Sequence, residues 1–271
     1  MELSVPGFDA KAYAYTGGKP FDAVLPCIVF IHGALHDHSV WTLLARWFAH
    51  HGHGVLAVDQ PGHGRSGGAP LASVETLADW VLALLDAAGV KKASLVGHSM
   101  GSLIALEAAA RAPSKFDALV MVGTAYPMKV SEALLETART APLKAIDMVN
   151  VFSHSTLAAK PSHPGPGTWL HGANRALMRR VQAGQTAVNL FHHDFGVCDR
   201  YAGGLEVAAK VQCPVAMVLG ERDQMTVPKQ SREIAQALKA RVHMVAAGHA
   251  LMTEAPDALL LALREALPAP R

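Results

Sequence analysis

The chain has 271 residues with a hydrophobic content of 51%, a charged content of 17% and a formal net charge of +2 when the 15 histidines are counted as neutral. These values argue against a disordered chain, and without long runs of Lys and Arg they give no footprint for nucleic acid or an anionic membrane surface. The length suffices for one large domain with a full hydrophobic core. The expected partner is therefore a small-molecule substrate.

Cysteine spacing and the N-terminal sequence bear on the compartment. Cys27, Cys198 and Cys213 are widely spaced and form no CxxC pair, which is typical of reduced thiols in a reducing compartment. The opening sequence MELSVPGFDAKAYAYTGG lacks the basic and apolar regions of a signal peptide, and no stretch reaches the roughly 18 apolar residues of a membrane span. A cytoplasmic protein without a membrane segment is expected.

Short apolar runs alternate along the chain with longer Ala- and Leu-rich helical patterns. This alternation is typical of an α/β fold in which a mostly parallel, twisted sheet is covered by helices on both faces. Strands are predicted at 26–33, 54–60, 93–97, 118–123, 214–220 and 241–247, with an antiparallel hairpin within 3–15 at one edge. Helices are predicted at 39–51, 73–88, 100–111, 229–239 and 256–266.

The alternation stops after Thr124. From 125 to 204 only helical segments are predicted, and the stretch KPSHPGPG at 160–167 enforces a loop between them because it combines prolines with glycines. The sequence therefore predicts a first core part at 1–124, a helical insertion at 125–204 (the insertion) and a second core part at 205–271.

A serine lies between two glycines at the joint of a predicted strand and a predicted helix. The sequence GHSMG, from Gly97 to Gly101, fits G-x-S-x-G in the strand–turn–helix context that this pattern requires. On such a sharp turn the Ser99 hydroxyl points out of the sheet, and the glycines leave room for the tight backbone. The N–H groups that open the helix, with that of Met100 first, would face negative charge developing on a reacting oxygen.

Partners for Ser99 lie after two later strands. A serine hydroxyl is a poor nucleophile near neutral pH and needs a base that a carboxylate holds in place. Asp223 follows the strand predicted at 214–220, and His249 follows the strand predicted at 241–247, which gives the expected chain order Ser, Asp, His. Glu221 is the alternative carboxylate, because it also lies just past the first of these strands.

Four motifs together resemble those of α/β-hydrolase-fold enzymes over essentially the whole chain: HGALHDHSVW at 32–41, DQPGHGRS at 59–66, GHSMG at 97–101, and GERD followed by GHALMTEAP within 220–256. This resemblance implies that Ser99 is the nucleophile, His249 the base and acid, and Asp223 the carboxylate that orients His249. It also implies that the insertion is the cap domain of the family, and that the Ala34 N–H joins that of Met100 in an oxyanion hole. No cofactor is expected.

Apolar side chains of the insertion, with two residues near the motifs, are candidates for a substrate pocket. They are Leu35, His98, Met128, Met148, Phe152, Trp169 and Phe191, with Met178 and Phe195 as further members. The alternative is that such side chains only dock the insertion on the core. Arg179 and Arg180 would either anchor a substrate carboxylate or form a solvated helix face.

The histidine-rich stretches HDH at 36–38 and HHD at 192–194 do not form a recognised ligand pattern. Neither HExxH nor a paired CxxC is present, so no metal site is expected. Asp59 is expected to organise a loop near the site entrance. His98 either lines the pocket or has only a local hydrogen-bonding or packing role.

These observations predict a serine hydrolase that cleaves an ester or related acyl bond of a small, largely apolar substrate. The same triad also serves C–C bond hydrolysis, lactone opening, thioester hydrolysis and cofactor-free perhydrolysis, which differ in pocket shape. A ligand-binding protein with little turnover is an alternative from a different class, but it has no chemical need for a base beside the serine. The chain is expected to act as a monomer or a homodimer, without nucleic acid or membrane partners.

Overall fold

Eight strands form one sheet in the computed structural model, which describes residues 1–156 and 169–270. The strands are β1 (Glu2–Ser4), β2 (Lys11–Tyr15), β3 (Cys27–Ile31), β4 (Gly54–Asp59), β5 (Ala93–His98), β6 (Phe116–Val122), β7 (Val215–Gly220) and β8 (Arg241–Val245). Their order is β1-β2-β4-β3-β5-β6-β7-β8, in which β1 and β2 pair antiparallel at one edge and the pairs from β4 to β8 are parallel. The mostly parallel sheet predicted from the sequence is confirmed.

Helices follow most of the strands. Within the described residues they are α1 (Thr42–His50), α2 (Val74–Ala87), α3 (Met100–Arg111), α4 (Glu132–Thr140), α5 (Pro142–Ser153), α6 (Leu170–Gly184), α7 (Leu190–Arg200), α8 (Gly204–Ala208), α9 (Arg232–Ala237), α10 (Leu251–Glu254) and α11 (Pro256–Ala266), with 3-10 helices at His38–Trp41, Pro113–Lys115 and Pro228–Ser231. The predicted helices at 39–51 and 229–239 thus each begin as a tighter 3-10 turn. No helix of this set has both the length and the apolar character needed to cross a bilayer.

Helices cover both faces of the sheet, as strand β3 illustrates. Its residues are buried without exception, as expected for an inner parallel strand. Ile28 and Phe30 pack in one apolar cluster together with α1 and α11, whereas Val29 and Ile31 belong to a second cluster with α2 and α3. Because successive side chains of a strand point to opposite faces, this alternation builds two hydrophobic layers, one on each side.

The regular elements in the described part of the chain between β6 and α8 are all helices. Helix α4 packs on α5 and α7, and α5 packs on α6. The predicted loop KPSHPGPG at 160–167 lies outside the described residues. The boundaries of the insertion at 125 and 204 stay predictions.

Candidate active site

Ser99 lies at the turn between the carboxyl end of β5 and the first residue of α3. Its φ of 53° and ψ of −120° fall in a region that residues with a Cβ adopt rarely, and its N–H donates to the Val122 carbonyl at 2.9 Å. Although Ser99 occupies the N-cap position, its hydroxyl makes no capping bond to the N–H groups of this fully described helix. The hydroxyl is therefore left available at the sheet edge.

The two glycines beside Ser99 allow β5 and α3 to approach each other and the neighbouring strand. A Cβ on Gly97 would overlap the carbonyl of Gly101, and a Cβ on Gly101 would overlap the carbonyl oxygens of Ile31 and His32. These obstacles are backbone atoms, which cannot turn away as a flexible side chain can. Both positions therefore require glycine for reasons of space.

Replacing Gly101 by alanine is expected to destabilise the fold by about 3 kcal/mol, because relief of the overlap requires α3 to move away from β3. Gly184→Ala is the matched control, since a Cβ on Gly184 at the end of α6 meets nothing within 4 Å. Urea unfolding followed by circular dichroism would measure both changes. Equal stability of Gly101→Ala and the unchanged protein would contradict the packing described here.

His249 and Asp223 follow strands β8 and β7 and meet in a buried pair. The Nδ1 atom of His249 lies 2.8 Å from Asp223 Oδ2. The other oxygen, Oδ1, accepts from the backbone N–H groups of Met225 and Thr226, each at 2.8 Å, and the Thr226 hydroxyl donates to Oδ2 at 2.7 Å. The carboxylate is thus fixed on all sides, and it in turn fixes the orientation of the imidazole.

The charge of Asp223 follows from these contacts. Burial alone would raise the pKa of the Asp223 carboxyl, but the neighbouring His249 and the hydrogen bonds from Thr226 hold it below its usual value. The side chain is therefore an anion across the neutral range, as a partner for an imidazolium must be. Glu221 is exposed instead, so the structure brings Asp223 and not Glu221 to His249.

His98 is buried beside His249, with ring centroids 4.6 Å apart. Its Nε2–H donates to the His249 carbonyl oxygen at 2.9 Å. Burial, followed by the nearby His249, holds the pKa of His98 well below its usual value, so the ring is neutral. The residue before Ser99 thus supports the backbone of His249, and it also contributes to the cavity wall.

The loop after β3 passes close to Ser99. A Cβ on Gly33 would lie 3.1 Å from the Ser99 Cβ, which shows how closely this loop passes. Ala34 follows and lines the same cavity as Ser99. Met100 is the first residue of α3, and N–H groups in the first helical turn have no acceptor inside the helix. An oxyanion hole formed by the N–H groups of Ala34 and Met100 stays a prediction.

A cavity of about 260 Å³ opens above Ser99 and His249. Apart from those two residues it is lined by Gly33, Ala34, His36, His98, Met128, Lys129, Val130, Ser131, Leu134, Met148, Val149, Phe152, Ser153, Met178, Phe195, Cys198, Gln224, Met225 and Thr226. Burial raises the pKa of the Cys198 thiol, so this second potential nucleophile stays protonated. The lining is mainly apolar, and most of its apolar side chains come from the insertion.

The cavity includes some of the predicted pocket residues and leaves out others. His98, Met128, Met148 and Phe152 line it, as do Met178 and Phe195. Three of the predicted residues are absent from the lining found among the described residues, and their place in the pocket stays a prediction. Leu35 is fully buried in the core, Phe191 is fully buried and stacks on Phe195 at 4.4 Å between ring centroids, and Trp169 is half exposed.

Sequence reasoning missed two residues beside Asp223 and His249, namely Met225 and Thr226. Thr226 bridges Asp223 and His249, with its hydroxyl 3.2 Å from His249 Nδ1, and Met225 contributes to the cavity wall. Both follow Asp223 in a turn whose N–H groups return to that carboxylate. An Asp followed three positions later by Thr is the signal of such a turn, and it could have suggested this role.

The polar groups weighed as alternatives have structural partners. Arg180 donates to Asp37 at 2.9 Å, and an Arg179 nitrogen lies 3.4 Å from Asp147 within the insertion. Possible ligand atoms of Asp37, His38 and Asp59 lie within 4.8 Å of one another. His38 Nδ1 and the His38 N–H lie 2.8 and 2.6 Å from Asp59 Oδ1, so Asp59 organises the loop that carries His38.

Comparison with known proteins gives a family-level match. A family model described as "alpha/beta hydrolase fold" matches residues 26–256. The Escherichia coli protein named Esterase YbfF is 27% identical over 249 residues, which are 89% of this chain and 92% of that protein. A mouse protein named sn-1-specific diacylglycerol lipase ABHD11 is 34% identical over 135 residues, and the match spans 49% of this chain and 44% of that protein. Several curated relatives are thus matched over less than half of their own length.

Solved structures support the same architecture. The enol-lactonase from Burkholderia xenovorans LB400 superposes with a TM-score of 0.80 at 23% identity, and the alignment covers 98% of both chains. An esterase from Exiguobacterium antarcticum gives a TM-score of 0.82 at 14% identity, again with 98% of both chains covered. At these identities the likeness concerns the fold alone.

Proposed function

The chain belongs to the alpha/beta hydrolase fold family and is a hydrolase, and from that premise we propose that it cleaves carboxylic esters of small, largely apolar acyl groups through Ser99, His249 and Asp223. The observation that carries the proposal is that Ser99 and His249 line one apolar cavity, with His249 Nδ1 held by the buried Asp223. A protein that only binds a ligand has no need for an imidazole held in this way.

The proposed reaction begins when the Ser99 Oγ attacks the ester carbonyl while His249 takes the hydroxyl proton. Asp223 stabilises the imidazolium that results, and the N–H groups of Ala34 and Met100 bind the oxyanion of the tetrahedral intermediate. His249 then protonates the leaving alcohol, and an acyl-enzyme forms on Ser99. Water attacks this ester with His249 again as base, the acid leaves, and the Ser99 hydroxyl is restored. Each proton is returned, so the cycle needs no cofactor.

The substrate class follows from the size and lining of the cavity. A volume of about 260 Å³ lies below the usual range of ligand pockets, which is about 300–1,000 Å³. Methionines at Met128, Met148, Met178 and Met225 give the wall adaptable side chains that accept several shapes. We therefore expect short- to medium-chain acyl groups to fit, and long acyl chains to be excluded or to extend into solvent.

The direct test measures kcat/KM for a series of p-nitrophenyl esters from acetate to dodecanoate. We expect kcat/KM to be highest between butanoate and octanoate. Lactones, thioesters, ring-opened dienoates and peracid formation are measured in parallel. A preference for one of these classes over every ester by tenfold or more would replace the ester proposal with that chemistry. Absence of turnover on all of them would favour a ligand-binding protein.

A variant of the cavity wall sharpens this test. Met148→Trp places a larger side chain at the wall, so we expect kcat/KM for octanoate to fall about tenfold more than that for acetate, since each methylene placed in a pocket is worth about 1–3 kcal/mol. Leu143→Trp is the matched control, because Leu143 lies on the same helix α5 but is half exposed and away from the cavity lining. An unchanged chain-length profile in Met148→Trp would contradict the assignment of this cavity to the acyl group.

A further inference from the structure

The residue after Ala34 has a backbone conformation that needs external support. Leu35 has a φ of 55°, in the left-handed region that is unfavourable for a branched side chain, and it is fully buried. Its N–H donates to Asp194 Oδ2 at 2.8 Å. Asp194 belongs to α7 of the insertion and lies 159 positions later in the chain. A contact from the insertion thus fixes the peptide unit that adjoins the proposed oxyanion donor.

Asp194 is in turn held by a histidine of the core. The Nε2 atom of His63 lies 2.8 Å from the same Oδ2 atom, and both side chains are almost completely buried. His63 Nδ1 lies 3.1 Å from the Pro61 carbonyl oxygen, so both ring nitrogens face oxygen acceptors and both are satisfied as N–H donors. Although burial would lower the pKa of His63, the Asp194 carboxylate holds it above its usual value. The buried Asp194 carboxylate thus favours the protonated form of the His63 ring.

The next two residues of the loop also contact the insertion. His36 Nε2 lies 2.9 Å from Asn174 Oδ1, while His36 Nδ1 lies 2.7 Å from the Ala34 carbonyl oxygen. Asp37 accepts from Arg180 at 2.9 Å. Asn174 and Arg180 both belong to α6.

Residues 35, 36 and 37 are therefore each bonded to a helix of the insertion, and these bonds are made by backbone, imidazole and carboxylate groups in turn. All three contacts fall on consecutive residues that directly follow Ala34. The insertion therefore holds this one loop at three points. The Leu35–Asp194 contact is buried, and a buried polar contact specifies one geometry when every partner is satisfied.

We propose that Asp194 is a positioning residue for ester hydrolysis, because it holds the Leu35 N–H and thereby aims the neighbouring Ala34 N–H at the oxyanion. His63 keeps the Asp194 carboxylate in place, and His36 with Asn174 provides a second support for the same loop. The insertion then has two tasks, since it shapes the acyl cavity and completes the oxyanion hole. This inference rests on the proposed function of the site.

The test compares Asp194→Ala, Asp194→Asn and Tyr201→Phe. Asparagine keeps an oxygen that can accept from Leu35 and His63, whereas alanine removes the acceptor. Tyr201→Phe is the matched control. Tyr201 directly follows α7, and its hydroxyl also joins the insertion to the core, but it donates to Glu107 on α3, at 2.8 Å, and not to the loop. Asn174→Ala serves as a second support variant if Asp194→Ala does not fold.

With p-nitrophenyl butanoate we expect kcat of Asp194→Ala to fall about 10- to 100-fold, less than the roughly 10²- to 10³-fold loss for outright removal of one oxyanion donor. KM is expected to stay within about threefold, because the acyl cavity does not include Asp194. Inhibition by benzeneboronic acid, whose tetrahedral adduct places an oxygen in the oxyanion hole, is expected to weaken in parallel. Asp194→Asn should recover most of both losses, and Tyr201→Phe should match the unchanged protein.

The inference fails if Asp194→Ala retains kcat, or if Ala, Asn and Tyr201→Phe lose activity to the same extent, as general loosening would produce. Hydrogen exchange of peptides covering residues 33–41 gives a readout that needs no turnover. We expect faster exchange of this loop in Asp194→Ala and Asn174→Ala only. If the unchanged protein hydrolyses nothing, the proposed function fails, while the exchange data still decide whether Asp194 holds the loop.

Discussion

Replacing Ser99 by alanine is expected to lower kcat for p-nitrophenyl butanoate by about 10⁶-fold, the loss seen when a serine hydrolase loses its nucleophile. The variant cannot form an acyl-enzyme, because its alanine lacks the Oγ atom that would carry the acyl group. The fold should be unaffected, since the side chain of Ser99 faces the cavity and makes no capping bond to α3. Thermal unfolding and steady-state kinetics on the same preparation would measure both quantities.

Covalent labelling provides the control for this variant. A fluorophosphonate probe is expected to modify the unchanged protein once, with the adduct on the peptide that contains Ser99, and to leave Ser99→Ala unlabelled. Ser94→Ala, an identical substitution at a buried serine of the same strand β5, should label and turn over normally. Substantial activity in Ser99→Ala, or labelling that persists there, would show that another group is the nucleophile.

Asp223→Asn is expected to lower kcat by about 10³- to 10⁴-fold while the geometry of the site is retained. The neutral amide cannot stabilise an imidazolium, and its NH₂ group would favour the wrong tautomer of His249. Because the pKa of the Asp223 carboxyl is held below its usual value, the unchanged enzyme has its anion throughout the working range of His249. Kinetics from pH 5 to 9 would show whether the loss persists at every pH.

Glu221→Gln is the matched control for this substitution. Glu221 lies two positions before Asp223 in the same turn and is exposed. Its replacement by glutamine removes the same charge as Asp223→Asn. We expect its kcat to stay within about twofold of the unchanged value, as is usual for surface substitutions. If Glu221→Gln were the more damaging variant, the assignment of the triad carboxylate would have to change.

The sheet, and the positions of Ser99, Asp223 and His249 just past its strands, could be predicted because both depend on local patterns. Parallel strands end at one edge of a sheet, so residues just past several strands come together whatever their separation in the chain. Asp223, His249 and Ser99 each follow such a strand, and a short apolar run is enough to identify each one. The same rule placed Ala34 near Ser99, since it follows β3.

The cavity wall could be predicted only in part, because composition does not reveal how a helix is turned. Phe191 and Phe195 lie one turn apart on α7 and stack on each other, yet Phe195 reaches the cavity and Phe191 points into the core. A small rotation of the helix would exchange their roles. Methionines such as Met148 and Met178 are equally compatible with either position.

The contacts that the insertion makes with residues 35–37 could not be predicted for a different reason. Asp194 and His63 are 131 positions apart, and neither belongs to a regular pattern that requires the other. HHD at 192–194 drew attention as a possible set of metal ligands, whereas Asp194 instead joins a histidine of the DQPGHGRS motif. Such a pairing depends on how the insertion is seated on the core, which is a property of the tertiary structure.

The uncapped start of α3 has a consequence for protein engineering. Serine is among the best residues for capping a helix, and a capping side chain typically adds about 1 kcal/mol of stability. The left-handed backbone at Ser99 forgoes that gain and keeps the hydroxyl free. Thermostabilising programmes commonly improve helix ends, and here the first turn of α3 should be exempt from them. A higher Tm obtained at this helix end is expected to come with slower turnover, a local instance of the trade-off between stability and activity.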